Sequence, residues 1–315
     1  MPIRIAALLA CHNRREKTVT CLRALRAQIL PVREFCESQT TEDSCQKSEV
    51  RSQKSEVPSD QQLSTSEPSL SAFSFQPSAY SINVFLVDDG STDGTADAVR
   101  EVWPEATIIQ GNGNLFWCAG MREAWAEAAK TDPDFYLLLN DDTVLYPEAV
   151  ASLLEVAPNP SSTLIAAGAI RDPESLAWAY GGLQSDHPFP MPDGTPRPCR
   201  TMNANCSLVP RKVFREIGMF HPAYRHAMGD MDYGLSATRQ GIPILETPIF
   251  IGECRRNSSK GTWRDVELSR IDRWRKLMSP KGLPLRDWFA YCTRNCGWKW
   301  LRYFVSPYLR ILFGK

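Results

Sequence analysis

Short apolar runs that end in polar residues recur along the first half of this 315-residue chain. In the clearest, five apolar residues at Phe135–Leu139 lead directly into the polar triplet Asn-Asp-Asp at 140–142. A short, continuously apolar run is typical of a strand buried on both faces of a parallel sheet. Similar runs at 3–10 and 83–87 predict two more buried strands.

Helical patterns alternate with these strands. Residues of one face recur at spacings of four, three and four between Thr18 and Ile29, which predicts a helix to about Leu30. Asn13 followed by Glu16 resembles a capping box at its start. The alternation continues to about residue 170 and predicts an α/β fold with a mainly parallel sheet flanked by helices. From about residue 265 the pattern is helical and predicts a C-terminal helical extension.

Residues 36–80 differ in composition from the rest of the chain. They are rich in Ser, Gln and Glu, and the segment 46–50 recurs at 53–57. Such a composition cannot bury enough apolar surface to offset the entropy cost of ordering. We therefore predict a domain at 1–257 that contains a disordered insertion at 36–80, followed by the helical extension at 258–315.

Composition excludes some classes of protein and leaves others open. Lys and Arg number 36, as do Asp and Glu, so net charge gives no general support for binding nucleic acid. No apolar run approaches the roughly 20 residues of a spanning helix. The ten cysteines are scattered without a Cys-x-x-Cys pair, which indicates reduced thiols in a cytoplasmic protein. Aromatic and basic residues mix at 298–315, a pattern compatible with helix packing or with peripheral contact with a membrane.

Paired carboxylates follow two of the predicted strands. Asp88 and Asp89 come directly after the strand at 83–87, and Asp141 and Asp142 follow Phe135–Leu139. Open α/β sheets bind ligands where their parallel strands end. Adjacent carboxylates repel each other unless a cation joins them, and Mg²⁺-type ions often bind one or two carboxylates together with substrate phosphates. A solvated helix cap also uses Asn and Asp, so the triplet alone leaves both interpretations open.

A third acidic motif lies in the second half of the chain. Asp230 and Asp232 stand at the start of a predicted helix that runs to Gln240. The positive end of a helix dipole favours ionised carboxylates. A capped helix is therefore one interpretation, and a functional carboxylate is another.

These motifs resemble, in kind and in order, those of family 2 glycosyltransferases. The segments that carry the resemblance are Ala-Cys-His-Asn-Arg at 10–14, Val-Asp-Asp-Gly-Ser-Thr-Asp at 87–93, Gly-Asn-Leu-Phe-Trp-Cys-Ala-Gly at 113–120, Asn-Asp-Asp at 140–142 and Gly-Asp-Met-Asp-Tyr at 229–233. The segment 113–120 is similar to the sugar-side loop of the bacterial rhamnosyltransferase-like branch. The resemblance covers 1–35 and 81–257, and it implies a GT-A fold and transfer of a sugar from a nucleotide diphosphate.

The resemblance also implies roles for single residues. It implies nucleotide-sugar binding by Ala10, His12, Arg14, Asp88, Asp89, Asn114, Gly120 and Asp141, metal binding by Asp142, and a catalytic base at Asp230. The base would accept the proton of an acceptor hydroxyl in one inverting displacement, and Mn²⁺ or Mg²⁺ would offset charge on the departing nucleotide. Asp232 and Arg239 would support the helix and the acceptor site. For His12, a satisfied surface histidine is the alternative.

Two departures from the family pattern leave roles open. Asn140 and Gly229 stand where the family usually has Asp and Glu. Many relatives place a metal-binding His after the strand at 249–251, where this chain has Glu253 and Cys254, so either of these residues or water would complete the shell.

The expected partners are a nucleotide-diphosphate donor, either dTDP-rhamnose or a UDP-sugar, and a polysaccharide or lipid-linked acceptor. Two other functions fit the motifs in part. A sugar nucleotidyltransferase would have the same kind of sheet, but it carries a Gly-rich loop that residues 11–17 lack. A non-catalytic sugar-nucleotide-binding module would have lost the base or the metal site.

Overall fold

The computed structural model of this chain describes residues 2–28, 80–184 and 191–313. Its strands are β1 Ile3–Cys11, β2 Tyr80–Asp88, β3 Thr107–Gln110, β4 Phe135–Leu139, β5 Val144–Leu145, β6 Ile165–Arg171, β7 Trp178–Tyr180, β8 Gly182–Leu183, β9 Arg197–Cys199, β10 Thr201–Met202, β11 Cys206–Pro210 and β12 Ile244–Glu253. Its helices are α1 Arg15–Ala27, α2 Thr95–Val102, α3 Phe116–Ala129, α4 Ala149–Val156, α5 Arg211–Ile217, α6 Gly229–Arg239, α7 Arg270–Met278, α8 Leu285–Asn295 and α9 Trp300–Phe313, with a 3₁₀ turn at Gly297–Lys299.

One mixed sheet organises the described part of the chain. Its strand order is β3-β2-β1-β4-β11-β6-β12-β5, with β7 and β9 paired at its side. The strands β3, β2, β1 and β4 are mutually parallel, whereas β11 runs antiparallel between β4 and β6. The predicted α/β class, with a largely parallel sheet between helices, is therefore confirmed. The strand expected at 249–251 is part of a longer strand, β12, with irregular register between Glu246 and Phe250.

The continuous apolar runs form strands because helices cover both faces of the sheet. Alternate residues of β1 belong to two different cores: Leu9 packs in the same core as Leu22 and Leu25 of α1, whereas Leu8 packs with Trp125 of α3. Every residue of β4 is buried. A strand covered in this way needs apolar side chains at every position, so the sequence loses the alternation of a one-sided strand.

The predicted capping box before α1 is wrong. The helix begins at Arg15, and its N-cap residue, Arg14, makes no side-chain capping bond. The side chain of Asn13 instead accepts a hydrogen bond from the backbone N–H of Thr92, at 2.8 Å. Asp93 of the same neighbouring loop accepts from the backbone N–H of Arg15, at 3.0 Å. A tertiary contact thus replaces the local cap. Ile29 and Leu30 lie outside the described residues.

The predicted insertion lies almost entirely outside the described residues. Tyr80, its last predicted residue, is instead the first residue of β2 and is buried. Its hydroxyl donates a hydrogen bond to the backbone carbonyl of Gln28, at 2.7 Å. The chain therefore leaves and re-enters the described structure at neighbouring points, so the length of the intervening segment does not alter the sheet topology.

The C-terminal helices pack against the helix that carries the third acidic motif. Asp232 of α6 accepts hydrogen bonds from Arg294 at 2.9 Å and from Asn295 at 2.6 Å, both on α8. Arg239 donates to Asn295 at 2.6 Å. The predicted helical extension is thus present, and its boundary at 257/258 stays a prediction. In the described part of the chain, no helix has the length and apolar character needed to cross a bilayer.

Candidate active site

A cleft of about 260 Å³ opens where β1, β2 and β4 end. Five of the predicted ligand-binding residues line it: Ala10, His12, Arg14, Asp89 and Asp141. Six other residues share the lining: Cys11, Gly113, Phe116, Trp117, His226 and Lys281. The parallel strands thus deliver side chains from distant parts of the chain to one edge of the sheet, as this topology requires.

Asp89 organises the loop between β3 and α3. One carboxylate oxygen accepts hydrogen bonds from the backbone N–H groups of Gly113 at 2.8 Å and Leu115 at 3.2 Å. The other accepts from the N–H of Phe116, also at 2.8 Å. Gly111 passes so close that a Cβ there would lie 2.6 Å from the carboxylate. Asp89 is therefore anchored by three backbone donors before any ligand binds.

The other three predicted nucleotide-sugar-binding residues, Asp88, Asn114 and Gly120, do not line the cleft, and neither do Asp142 and Asp230. Asp88 is buried, and its carboxylate accepts from the backbone N–H of Ser91, at 2.9 Å. The carbonyl of Asn114 accepts from Arg225 at 2.9 Å. Gly120 lies inside α3, where a Cβ would stand 3.0 Å from that of Ala10. These contacts shape the turn after β2, the loop before α3 and the packing of α3 on β1.

His12 is held by its neighbours in one tautomer. Its Nδ1 lies 2.6 Å from the backbone carbonyl of Asp89, which can only accept, so Nδ1 carries the proton. Its Nε2 lies 3.3 Å from the side-chain nitrogen of Asn13, which can donate. Both contacts orient the imidazole ring at the wall of the cleft.

Arg14 bridges the two carboxylates that follow β4. Its Nη1 lies 2.7 Å from Asp141 and 3.1 Å from Asp142, and Lys17 is 3.8 Å from Asp142. Burial, opposed by Arg14 and reinforced by the charge of Asp142, raises the pKa of Asp141 to about 6. The positively charged Arg14 guanidinium therefore offsets the repulsion between the Asp141 and Asp142 carboxylates.

The first residue of the 140–142 triplet has a structural role. The side-chain oxygen of Asn140 accepts a hydrogen bond from the indole N–H of Trp117, at 2.8 Å. The thiol of Cys21 donates to the Asn140 backbone carbonyl at 3.4 Å. These contacts fix the turn that presents Asp141 and Asp142.

The residues around Asp142 suit a divalent cation that a substrate helps to hold. Within the described ranges, no group of three or more His, Cys, Asp or Glu side chains is placed to enclose a metal. Cys254 lies beside Asp142, with its Sγ 3.6 Å from the carboxylate, but burial raises its thiol pKa to about 12 and keeps it neutral. Glu253 instead contacts Tyr146 at 3.2 Å and Arg171 at 3.7 Å. One carboxylate completed by phosphate oxygens and water is a common arrangement for Mg²⁺.

Asp230 lies at the N-terminus of α6 and is partly buried. Its carboxylate accepts from the backbone N–H groups of Ala204 at 3.2 Å and Met231 at 2.9 Å. Burial raises its pKa above the ordinary value, and these hydrogen bonds oppose the rise. The next residue after Ala204 is Asn205, whose side chain contacts the thiol of Cys254 at 3.7 Å. Asp230 thus contacts Ala204 directly, whereas Asp142 is linked to the neighbouring Asn205 through the Cys254 thiol.

Packing against α3 explains why this chain has Gly229 where the family usually has Glu. A Cβ at this position would overlap the Sγ of Cys118 in α3 and stand 3.7 Å from Phe220. The start of α6 therefore rests directly on α3, and no side chain larger than hydrogen fits there without displacing Cys118.

A second wall of the cleft comes from the loop before α6 and from the C-terminal helices. His226 lines the cleft, and its Nδ1 is buried without a hydrogen-bond partner among the described residues. Burial, followed by the charges of Lys281 and Arg14, lowers its pKa to about 4, so it is neutral near pH 7. Asp287 of α8 accepts from the backbone N–H of Arg225, at 3.0 Å, and so ties this loop to the C-terminal helices.

Two residues in strained backbone conformations flank the cleft. Phe116 and Met228, at the starts of α3 and α6, have φ values of +59° and +74°. Such left-handed conformations are unfavourable for large side chains and tend to cluster at functional sites. The Arg225 guanidinium lies 5.0 Å from the Phe116 ring centre and joins the two loops.

Sequence reasoning missed the aromatic and C-terminal parts of the lining. Phe116 and Trp117 have a helical apolar spacing, which is typical of core residues. His226 stands four residues before Asp230, and a histidine so close to the acidic motif was an available signal. Lys281 lies in an ordinary Pro-Lys-Gly turn, and nothing in the sequence marks it as part of the cleft.

The chain is similar to known glycosyltransferases. The model of the family described as Glycosyl transferase family 2 matches residues 69–218. Two relatives, both N-acetylglucosaminyl-diphospho-decaprenol L-rhamnosyltransferases of Mycobacterium tuberculosis strains, are 24% identical over 214 residues, which span 58% of this chain and 69% of theirs. Fold and site together define a glycosyltransferase. The family model matches just under half of this chain, which is thus similar to family 2 and, within it, to the rhamnosyltransferases.

Solved structures share the fold of this chain. The mannosyltransferase PcManGT of Pyrobaculum calidifontis, in complex with GDP-Man and Mn²⁺, aligns with a TM-score of 0.51 and 14% identity over 99% of this chain and 71% of its own. TarS 1-349 of S. aureus, in complex with UDP-GlcNAc, aligns with a TM-score of 0.52 and 12% identity over 99% and 73%. The GT-A fold expected from the sequence is confirmed.

Proposed function

We propose that this glycosyltransferase moves a sugar, with inversion, from a nucleotide-diphosphate donor bound in the cleft to an acceptor hydroxyl near Asp230. The observation that carries the proposal is the meeting of Arg14, Asp89 and Asp141 in one cleft. Asp142 lies 3.1 Å from Arg14, and Asp230 accepts a hydrogen bond from Ala204, whose neighbour Asn205 contacts the Cys254 thiol beside Asp142.

The charges around the cleft support a diphosphate ligand. Three backbone donors already occupy lone pairs of the Asp89 carboxylate, and Arg14 pairs with Asp141. Lys281 is exposed and makes no ion pair in the described ranges, so its charge is available to a ligand. Arg14 and Lys281 would face the phosphates, because a guanidinium or ammonium group forms charge-assisted hydrogen bonds with phosphate oxygens.

The nucleoside would bind at the ends of β1 and β2. The fixed ring of His12 offers an apolar face, and Ala10 leaves space beside it at the cleft wall. Asp89 would hold its loop in place and direct its remaining lone pairs to the base or ribose. Asp141 would contact the ribose once Arg14 turns towards the phosphates.

Asp142 would hold Mn²⁺ or Mg²⁺ together with donor phosphate oxygens. When bound, the cation offsets negative charge on the departing nucleotide diphosphate. Arg14 and Lys17 would move from Asp142 to the donor, so their positive charge stays within the site.

Asp230 would act as the general base. The acceptor oxygen would attack the anomeric carbon as its proton passes to the Asp230 carboxylate, while the bond from that carbon to the diphosphate oxygen breaks and its electron pair leaves with the nucleotide. The raised pKa strengthens the carboxylate as a base, and the two backbone donors keep it oriented. Attack from the side opposite the leaving group inverts the anomeric centre.

The rhamnosyltransferase relatives guide the choice of substrates. Their name states an L-rhamnosyl transfer to N-acetylglucosaminyl-diphospho-decaprenol, a lipid-linked acceptor. We propose dTDP-rhamnose as donor, UDP-sugars as the alternative, and a lipid-linked or polysaccharide precursor as acceptor. The free thiols of the eight described cysteines support the predicted cytoplasmic location.

A transfer assay with a panel of dTDP- and UDP-sugars and a lipid-linked acceptor tests the proposal. We expect Asp230→Asn to keep donor binding and to lose transfer by about 10²–10⁴-fold, the range typical of general bases. Asp142→Ala is expected to abolish the stabilisation that donor and Mn²⁺ together give in a thermal-shift assay. The anomeric configuration of the product, read by NMR, tests inversion.

Asp97→Asn is the matched control, because Asp97 is an exposed residue of α2 that, among the described residues, forms an ion pair with Arg100 alone. Its transfer rate should equal that of the unmodified chain. Normal transfer by Asp230→Asn would refute the base assignment, and unchanged cation-dependent stabilisation in Asp142→Ala would refute the metal assignment.

A further inference from the structure

Helix α9 has both buried and solvent-exposed apolar residues. Pro307, Tyr308 and Ile311 are buried against the other C-terminal helices. By contrast, Leu301, Leu309, Leu312 and Phe313 are between 46% and 80% exposed. Residues 301, 305, 309 and 312 follow the spacing of one helical face, so this is a continuous apolar stripe directed to solvent.

The stripe continues beyond the helix. Trp298, in the turn before α9, is 88% exposed. Phe289 of α8 is about half exposed and contacts the ring of Trp300, with centroids 5.7 Å apart. We call the exposed set the α9 surface: Phe289, Trp298, Leu301, Leu309, Leu312 and Phe313. Contiguous exposed apolar patches on this scale mark interaction sites.

The chemistry around the α9 surface is basic. From Trp288 to Lys315 the chain has no Asp or Glu and five Lys or Arg residues, although the whole chain has zero net charge. Lys299, Arg302 and Arg310 are exposed and make no ion pair within the described part of the chain. Lys299 lies 5.3 Å from the ring centre of Trp298. The surface thus combines apolar and aromatic side chains with uncompensated positive charge.

Helix α9 keeps its shape across an internal proline. Pro307 has no N–H to donate to the carbonyl of Tyr303, and the hydroxyl of Ser306 donates to that carbonyl instead, at 3.1 Å. The hydroxyl of Tyr308 donates to the Leu283 carbonyl at 2.7 Å, and the Phe304 carbonyl accepts from the indole of Trp288 at 3.1 Å. The exposed stripe therefore lies on a helix fixed from its inner side.

We propose that the α9 surface binds a bilayer rich in anionic lipids, with α9 lying in the plane of the membrane. An amphipathic helix with aromatic and basic residues enters the headgroup boundary to a depth of about 5–10 Å, and its Lys and Arg side chains contact lipid phosphates. Two copies of the chain facing each other through this surface would oppose basic side chains without acidic partners, which disfavours self-association.

The position of the surface relative to Asp230 gives the proposal a consequence for catalysis. Arg294 and Asn295 of α8 hold Asp232, which is two residues after Asp230 in α6. The proposed catalytic base would thus lie on α6, which is hydrogen-bonded to α8 beside the membrane-bound surface, and a lipid-linked acceptor in the bilayer would be close to it. This consequence rests on the proposed function, whereas membrane binding itself does not.

Co-sedimentation of the full chain with vesicles tests the surface. We expect binding to vesicles of phosphatidylglycerol and phosphatidylcholine that weakens with salt, and little binding to phosphatidylcholine alone. The double variant Leu309→Gln/Leu312→Gln and the double variant Arg302→Gln/Arg310→Gln should each lower binding about tenfold or more. Leu176→Gln, at an exposed leucine outside the α9 surface, should bind as the unmodified chain does.

Equal vesicle binding by the α9 variants, or no binding by the unmodified chain, would overturn the proposal. So would a dimer, seen by light scattering, that these variants convert to monomer without any vesicle binding. Thermal melts would show that the variants fold. Transfer to a short-chain soluble acceptor should survive in Leu309→Gln/Leu312→Gln, while transfer to a vesicle-embedded acceptor falls. If the unmodified chain binds vesicles but transfers sugar to neither acceptor, the result would count against the proposed function and not against this surface.

Discussion

The Nη1 atom of Arg14 lies 3.1 Å from the Oδ2 atom of Asp142 and, on its other side, 2.7 Å from Asp141. A side chain from the end of β1 therefore stands between the two carboxylates that follow β4. The guanidinium supplies the positive charge that adjacent carboxylates require, in the place where a divalent cation would also serve. If Asp142 binds a cation as proposed, we expect that binding to be coupled to the departure of Arg14 from Asp142.

Removal of Arg14 should strengthen metal binding in the absence of donor. Arg14→Gln leaves Asp141 and Asp142 without their bridging charge, so we expect Mn²⁺ to bind about tenfold more tightly in an electron paramagnetic resonance titration. Donor binding should weaken in the same variant, since a phosphate partner is lost. Arg23→Gln, at an exposed position of α1, is the control. Unchanged or weaker Mn²⁺ binding by Arg14→Gln would contradict the competition.

Gly229→Ala should destabilise the protein because the added methyl group would overlap the Cys118 thiol. We expect a loss of about 1–3 kcal/mol in the free energy of unfolding, as for other overpacked positions. In a helix with free space at this position, Gly→Ala would stabilise the protein by up to about 1 kcal/mol. The sign of the change in unfolding free energy therefore shows whether the Cys118 thiol obstructs the added methyl group. Urea denaturation monitored by circular dichroism gives the measurement.

A second substitution tests the cause of that loss. Cys118→Ala removes the sulfur and leaves its Cβ 3.4 Å from the new methyl group, an ordinary contact. The double variant Gly229→Ala/Cys118→Ala should therefore be less destabilised than the two single effects predict, by about 1 kcal/mol or more. Additive effects would show that the overlap is not the source of the loss.

Lys281→Gln should weaken the binding of donors that carry a diphosphate. Loss of one charge-assisted hydrogen bond predicts a rise in donor Kd of about tenfold, with a smaller effect on nucleoside binding. Isothermal titration with a nucleoside, its diphosphate and the sugar donor separates these contributions. Lys276→Gln, at an exposed position of α7, should leave all three affinities unchanged. Equal losses for nucleoside and diphosphate would indicate that Lys281 shapes the cleft without contacting phosphate.

His226 should make the protein less stable as the pH falls. Burial lowers its pKa to about 4, whereas an unfolded histidine has a pKa near 6.5, so the unfolded state takes up a proton first. The stability that neutral His226 contributes is present above pH 6.5 and is lost as the pH falls from there towards 4. The decline in unfolding free energy from pH 7 to 4.5 should be about 2 kcal/mol smaller in His226→Gln. An identical decline in the unmodified chain and in His226→Gln would show that His226 is protonated as easily in the folded state as in the unfolded state.

The amino-acid sequence determined the order of the elements and the ends of the strands that carry the chemistry. Apolar runs at 3–10, 83–87 and Phe135–Leu139 predict doubly covered strands, and the polar residues after them are expected at one edge of a parallel sheet. The local sequence predicts these features because a strand covered on both faces needs consecutive apolar residues, and the polar residues that follow mark its end.

Only the tertiary structure decided which side chains meet across the cleft. Arg14 contacts Asp141 and Asp142, which are more than 120 residues away in sequence. The Asn13 side chain accepts a hydrogen bond from Thr92 and therefore does not cap α1. Lys281 lines the cleft from a turn between two C-terminal helices. The same holds for Gly229, whose lack of a side chain is explained by Cys118 on another helix. Such contacts depend on how helices pack over the sheet, and packing is a property of the assembled core that no local stretch of sequence contains.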